Sequence, residues 1–244
     1  MEWTDEAVVL SVRPHGETGT IAELLTRAHG RHLGLVHGGR GRTKRPVLQP
    51  GNHVTAQWRA RLTDQLGAFS VDLRQPYAAQ VLDAPQGLLG LVCLTTLARL
   101  LPERDPHPSL FEVTLFVLGY LGDDQIWPAL YARWELALLE ELGFGLDLSA
   151  CAVTGANDYL AYVSPRTGRA VSMAAAGPYR DKLLPLPGLL IGAGAGLSTA
   201  ADVVAALRLT GHFLTRDVHS AHGTVMPAAR ERLLSWLGER ASSR

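Results

Sequence analysis

Near Tyr77 the spacing of apolar residues changes from every second position to every third or fourth, which limits the chain to a β part followed by an α part. In "HVTAQWRAR", Val54, Ala56, Trp58 and Ala60 take one face of a strand, while Thr55, Gln57, Arg59 and Arg61 take the other. "AFSVDLR" repeats the pattern with Phe69, Val71 and Leu73 inward. "AVVLSVR", "TIAELLTR" and "RHLGLVHG" add three candidate strands, separated by the turn-forming "PHGETG" and "AHG". Five short strands over residues 1–80, with a longer connection between the third and fourth, fit a small barrel of the OB type.

Beyond "QPYAAQVLDAP", three long Leu-rich segments read as helices: "QGLLGLVCLTTLARLL", "SLFEVTLFVLGYLG" and "WPALYARWELALLEELG". Pro128 suits a first helical turn and Gly143 a helix stop. "DYLAYV" and "GRAVS" flank a turn and predict a small hairpin. Two further helices close the chain. One begins at Thr199 and Asp202, spaced as a capping box, and the other is "PAARERLLSWLGER". The expected class is therefore α+β: an OB-fold barrel over residues 1–80, a helical domain over 81–150 resumed at 179–244, and a hairpin insertion over 151–178.

At 244 residues such a chain buries roughly 70% of its unfolded surface, enough for a core without staples. Two cysteines, Cys93 and Cys151, make neither a disulfide framework nor a four-ligand zinc site. The acidic start "MEWTDEAVVLSVRPHGE" is unlike a signal peptide, and no run approaches the ~18 apolar residues of a membrane span. A cytoplasmic protein with no membrane partner is expected.

Net neutrality hides an uneven distribution of charge. Residues 1–80 carry ten cations against seven acids, 81–150 three against ten, and 151–244 ten against six. From Leu24 to Thr63 there are eight cations (Arg27, Arg31, Arg40, Arg42, Lys44, Arg45, Arg59 and Arg61) and no carboxylate. An isolated cationic loop such as "GGRGRTKRP" can be no more than solvated surface. Its company points to a polyanion, since Arg59 and Arg61 share the outward face of one strand at roughly 7 Å, near the phosphate spacing of nucleic acid. Glycines 38, 39 and 41 also let backbone N–H groups approach an anion. Five such cations on single-stranded DNA would give a log–log salt slope of about −3.5. With Trp58 and Phe69 facing inward and only Trp3 and Tyr77 at the margins, few aromatics remain for base stacking, so backbone binding tolerant of sequence is expected.

Other motifs are weaker. "IGAGAGLSTAADVVAAL" has glycines 192, 194 and 196 before a helix but no preceding parallel strand, so a nucleotide-dependent enzyme is a remote reading. On a strand His29 and His32 point to opposite faces and make a poor ligand set, so these histidines read as surface groups near a polyanion. No residue set reads as catalytic.

The stretches "EAVVLSVRPHGETGTIAELLTRAHGRHLGLVHGGR", "LQPGN", "RWELALLEELGFGLDLSACAVTG" and "AYVSPRTGRAVS", in this order, resemble the RecO family of bacterial recombination mediators over nearly the whole chain. The resemblance implies an OB barrel followed by a helical domain. It also implies binding of single- and double-stranded DNA, annealing of complementary strands, and action with RecR and the single-strand-binding protein in loading RecA. Some members hold zinc with four cysteines; here Cys151 matches the first position while Thr154, Ser172 and Ala175 stand at the others. That implies no metal and no cofactor, with the hairpin held by packing of Tyr159 and Tyr162. The family's pocket for the acidic tail of the single-strand-binding protein implies a cation on the helical domain, for which Arg133 is the candidate. Expected DNA contacts are Arg31, Arg40, Arg42, Lys44, Arg45, Arg59 and Arg61. The leading expectation is a nonenzymatic annealing mediator, and the alternative is a protein-docking adaptor with secondary DNA contact.

Overall fold

A computed structural model describes residues 1–62, 64–192 and 198–242. Contacts divide the chain into two compact units, Met1–Trp127 and Pro128–Arg244. The first contains β1 (Glu2–His15), β2 (Gly19–Thr26), β3 (Gly30–Val36), β4 (His53–Arg59) and β5 (Ala68–Gln75), followed by helices α1 (Tyr77–Gln80), α2 (Pro85–Leu97) and α3 (Pro108–Tyr120). The second contains most of α4 (Trp127–Glu141), then β6 (Leu160–Val163), β7 (Ala170–Ser172), α5 (Met173–Ala176), β8 (Leu184–Pro185), α6 (Ala200–Phe213), α7 (Ser220–His222) and α8 (Ala228–Ser242). The unit containing the five-stranded sheet thus runs on through two long helices.

The five strands close on themselves in the order β1-β2-β3-β5-β4. Closure depends on β1, which pairs β4 through Glu2–Val8 and β2 through Ala7–His15, with a register shift between Val9 and Ser11 where the strand turns from one partner to the other. The interior follows the two-residue period: Ala7 and Val9, Ala22 and Leu24, Val54, Ala56 and Trp58, Phe69 and Val71 form one buried cluster. Each large apolar side chain placed there contributes about 1.5–3 kcal/mol. Gly34 leaves the space that Phe69 fills, since a Cβ there would stand 2.4 Å from the Phe69 ring. Leu73 departs from its expected inward position and is exposed, because the β4–β5 register shifts beside it, between His53 and Val54.

β2 is buried on both faces, including Glu23. Its outer face lies in the same unit as α2, whose Leu91 packs so close to Gly51 that a Cβ there would stand 2.3 Å from the leucine. The run Ile21, Ala22, Leu24, Leu25 is apolar at both parities, which is the mark of a strand covered on both sides.

In the second unit α4 ends as its local chemistry dictates: Gly143 is left-handed (φ 83°), and Phe144 N–H donates to the Leu139 carbonyl at 2.8 Å. α6 opens with the Thr199–Asp202 capping box formed in both directions. Its C-terminal end continues as a wider π-type turn over Leu214–His219. β6 and β7 pair antiparallel, and β8 adds to β6. Tyr162 packs in this sheet's core with Cys151, Val171 and Ala176. Tyr159 does not join it; the residue is exposed and left-handed (φ 48°), so packing of the hairpin rests on Tyr162 alone of the pair.

Candidate nucleic-acid interface

The cations of the acid-free stretch separate by the element that carries them. Arg27, Arg31 and Arg59, on or beside strands, are drawn into ion pairs with carboxylates of neighbouring strands and, for Arg27, of α3. Glu23, buried on the covered face of β2, accepts from Arg31 Nη1 at 2.5 Å, from Arg99 Nε at 2.7 Å and from Ser11 Oγ at 2.8 Å. Burial pushes its carboxyl up, but the Ser11 and Arg31 hydrogen bonds and the Arg99 charge outweigh it and hold it below the usual range. Arg31 also donates through Nε to the Leu101 carbonyl at 2.7 Å and is only 19% exposed. Arg31 is therefore a structural residue and presents no free charge to a ligand, contrary to the sequence expectation. Arg27 bridges Glu6 and Glu112, and Arg74 also pairs with Glu6. Arg59 pairs with Glu2 at 2.8 Å on the open surface. Arg61 is not on the same strand face, because β4 ends at Arg59; it lies in the following bend, exposed.

The segment after β3 is different. Residues 37–50 fold as successive turns, with Gly41 N–H donating to Gly38 O, Arg45 N–H to Gly41 O and Leu48 N–H to Lys44 O. Leu48 inserts into the barrel core and anchors the turns. Gly39 crosses directly over Thr20, where a Cβ would stand 2.7 Å from the threonine Cβ. Arg40, Arg42 and Arg45 project outward without an ion pair among the described residues; Arg40 donates only to the Glu17 carbonyl at 2.9 Å. Lys44 is half-buried and its ammonium donates to the Val71 carbonyl at 2.7 Å. Arg40 and Arg45 meet Arg13, from the far end of β1, around an open cavity of about 400 Å³ floored by Val12, Thr20, Gly39 and Leu48. Arg13 lies outside the acid-free stretch and no sequence criterion singled it out. Its sequence signal is its place before Pro14 in a strand whose partner begins at Gly19, which turns it toward the same end of the barrel.

In the second unit Arg133 is exposed and makes no ion pair among the described residues. The nearest acid in sequence, Glu135, is wholly buried and taken by Arg230, with Nε to Oε1 at 2.7 Å and Nη2 to Oε2 at 2.8 Å. Arg133 stands at a cavity of about 400 Å³ with Leu136, Leu146, Leu148, Leu190 and Glu140. Of the glycine run, Gly192 is described, while Gly194 and Gly196 lie outside the described residues. Cys151 is buried, and its Sγ accepts from Ser172 N–H at 3.3 Å. Burial pushes this thiol up, but donors from Ser172 and Thr154 bring it down to about 6.

Two histidine expectations are corrected. His32 is buried inside the barrel end, not on the surface, and His29 lines the same cavity instead of facing away. Gly30, left-handed between them (φ 67°), breaks the strand parity on which the expectation rested.

Comparison with known proteins bears on this arrangement. A family model described as Recombination protein O N terminal matches residues 1–77, and one described as Recombination protein O C terminal matches residues 83–224. The chain belongs to the recombination protein O family. Among similar curated proteins, each called DNA repair protein RecO, that of Rhodospirillum centenum is 54% identical over 237 residues, covering 96% of this chain and 94% of the relative. That of Methylobacterium nodulans is 53% identical over 235 residues, covering 95% and 96%. That of Mesorhizobium japonicum is 49% identical, covering 100% and 96%. The family's N-terminal model spans the closed sheet, and its C-terminal model spans α2 to α7 with the small sheet and stops before α8. No helix among the described residues is long and apolar enough to cross a membrane.

Proposed function

We propose that this family member is a nonenzymatic DNA-binding and strand-annealing mediator of recombinational repair, acting in the cytoplasm. In this reading residues 1–80 form an OB-type barrel whose cationic end grips phosphates, and residues 81–150 and 179–244 form a helical domain with a metal-free hairpin at 151–178. One observation carries the assignment: Arg13, Arg40 and Arg45 surround one open cavity with no carboxylate paired to them among the described residues, while Arg27, Arg31 and Arg59 of the same barrel are already neutralised. The phosphate contacts at that end are assigned to Arg13, Arg40, Arg42, Lys44 and Arg45, with Arg61, beside the opposite end of β1, as a separate contact. Arg59 contributes once a phosphate displaces Glu2 from its exposed pair.

Annealing follows from charge. Two strands must bring like-charged backbones together, and cations that hold phosphates reduce that repulsion while leaving sequence information to base pairing. The test is a salt titration of single-stranded oligonucleotide binding by fluorescence anisotropy. Replacing Arg13, Arg40 and Arg45 together by Ala is expected to make the log–log salt slope shallower by about 2 and to slow annealing of unrelated sequences alike. An unchanged slope removes the assignment.

A second activity, protein docking, is supported by Arg133 beside a cavity lined by Leu136, Leu146, Leu148 and Leu190, with Glu140 as the one acid on its wall among the described residues. We assign this site to the acidic tail of single-strand-binding protein, with RecR and RecA as the further partners that membership of the family suggests. Arg133→Glu is expected to abolish association with a peptide of that tail while naked-DNA binding persists. Retained association refers the tail to another surface.

A further inference from the structure

The cavity at the Arg13 end of the barrel is built more closely than a phosphate grip alone requires. Its floor carries Thr20, which pairs with Pro14 of β1 and with Val36 of β3 and is therefore held in two ladders. Gly39 lies over it, so close that a Cβ there would stand 2.7 Å from the threonine Cβ and 2.8 Å from its Oγ1. Arg40 is fixed at the rim, its backbone N–H donating to the Thr18 carbonyl at 3.2 Å and its Nη1 to the Glu17 carbonyl at 2.9 Å. Arg13 and Arg45 reach the same cavity from β1 and from the turn segment, and all three arginines are exposed and without an ion pair among the described residues.

Thr20 is the residue that packing leaves unexplained. It is 5% exposed and lines the cavity, and its hydroxyl makes no hydrogen bond among the described residues. Other buried threonines are satisfied: Thr26 donates to the Gly30 carbonyl, Thr95 to that of Leu91 and Thr210 to that of Ala206. A buried hydroxyl without a partner is costly, and a valine would fill the same strand position without that cost. Unlike the His32 ring nitrogens, the Thr20 Oγ1 is not sealed off, and the opening beside it is the cavity. Three guanidinium groups and one hydroxyl thus converge on a single concavity instead of following a line. An internal phosphodiester offers one charge and two free oxygens, with the strand leaving it in both directions. A terminal phosphomonoester offers three free oxygens and about −1.5 to −2 charge near neutrality, and the strand leaves it on one side only. The volume of about 400 Å³ lies within the usual range for small-ligand sites.

We propose that this cavity takes the phosphomonoester at the end of a DNA strand, with Arg13, Arg40 and Arg45 around its oxygens and the Thr20 hydroxyl donating from the floor. The proposal rests on the DNA-binding role above and narrows the ligand of that cavity. On a strand with no phosphorylated end an internal diester occupies it, less tightly. A protein held at a strand end leaves the length of the strand free to pair.

The test measures the full-length protein against three internally labelled oligothymidylates of one length, carrying a 5′-phosphate, a 3′-phosphate or hydroxyls at both ends, by fluorescence anisotropy at one salt concentration. At least one phosphorylated strand is expected to bind about tenfold more tightly than the hydroxyl-ended strand, the effect of one further charge-assisted hydrogen bond. Thr20→Val, which keeps the shape of the side chain, should lower that ratio about threefold, and replacing Arg13, Arg40 and Arg45 together by Ala should bring it to about one. Equal affinity of the native protein for the three strands, with a normal salt slope, overturns the end site and leaves the phosphate grip standing. A ratio unchanged in either variant also overturns it, because the added charge then acts elsewhere. Displacement of the phosphorylated strand by an equal concentration of thymidine monophosphate gives the cavity to a free nucleotide and overturns it too. Failure to bind any of the strands at low salt removes the DNA-binding role and the end site with it.

Discussion

Arg230 and Arg40 are the same side chain in opposite surroundings. Arg230 is 3% exposed and spends its guanidinium on Glu135, the Leu207 carbonyl and the Thr210 hydroxyl. Arg40, on the turn segment after β3, reaches one backbone carbonyl and otherwise faces solvent. A cation removed from water must be fully paired to persist, whereas one left in water needs no internal partner and stays available to an external anion. Burial, not residue type, separates these two arginines, while half-buried Arg27 and exposed Arg59 show that a nearby carboxylate can claim a cation on the surface as well.

That contrast can be broken or sharpened by stability measurements. The largest effect is expected for Arg230→Leu, which strands the wholly buried Glu135 carboxylate and should cost about 3–5 kcal/mol in urea unfolding. The double change Glu135→Leu with Arg230→Leu should recover much of that loss, and no recovery would mean the arginine acts mainly through Leu207 and Thr210. Glu23→Gln, in the half-open cluster of the barrel, is expected to cost about 1–3 kcal/mol. Because the folded-state pKa of Glu23 is lowered, its contribution is complete above the unfolded pKa near 4.5 and disappears as pH falls through the folded value. The Gln variant should therefore show a flatter acid limb.

His32 acts at higher pH. Its folded pKa is lowered from 6.5 to about 4, so between those values the unfolded chain binds a proton that the native state refuses. Stability should fall as pH drops through that window, and His32→Phe should remove this part of the slope; an unaltered slope would mean His32 is accessible to protons in the fold. The smallest stability effect is expected for Arg40→Ala with Arg42→Ala and Arg45→Ala, within about 0.5 kcal/mol per site by thermal unfolding. A large loss there would place these arginines with Arg230 and remove the distinction.

Local chemistry was legible where a few adjacent residues suffice. The alternation in β4, the stop at Gly143 and the Thr199–Asp202 cap follow from backbone sterics and near-neighbour hydrogen bonds, and they stand where the sequence places them. Leu73 faces outward because it sits beside the β4–β5 register shift, and Tyr159 stays out of the hairpin core because its own backbone is left-handed just before β6 begins. The cationic stretch was legible as a composition, but which of its members remain free was not. Arg31 is claimed by Glu23, eight residues earlier, and Arg27 by Glu112, 85 residues later. Arg13 joins Arg40 and Arg45 only through strand pairing.

The β-then-α order, the inward face of β4 and the excess of cations without local acids follow from the sequence, because they depend on side-chain period and on charges counted along the chain. Only the tertiary structure decided which cations meet carboxylates, and which aromatic and imidazole rings share one cavity. The physical reason is that ion pairing and ring contact depend on separations of a few ångströms, which closing the sheet creates between residues far apart in the chain.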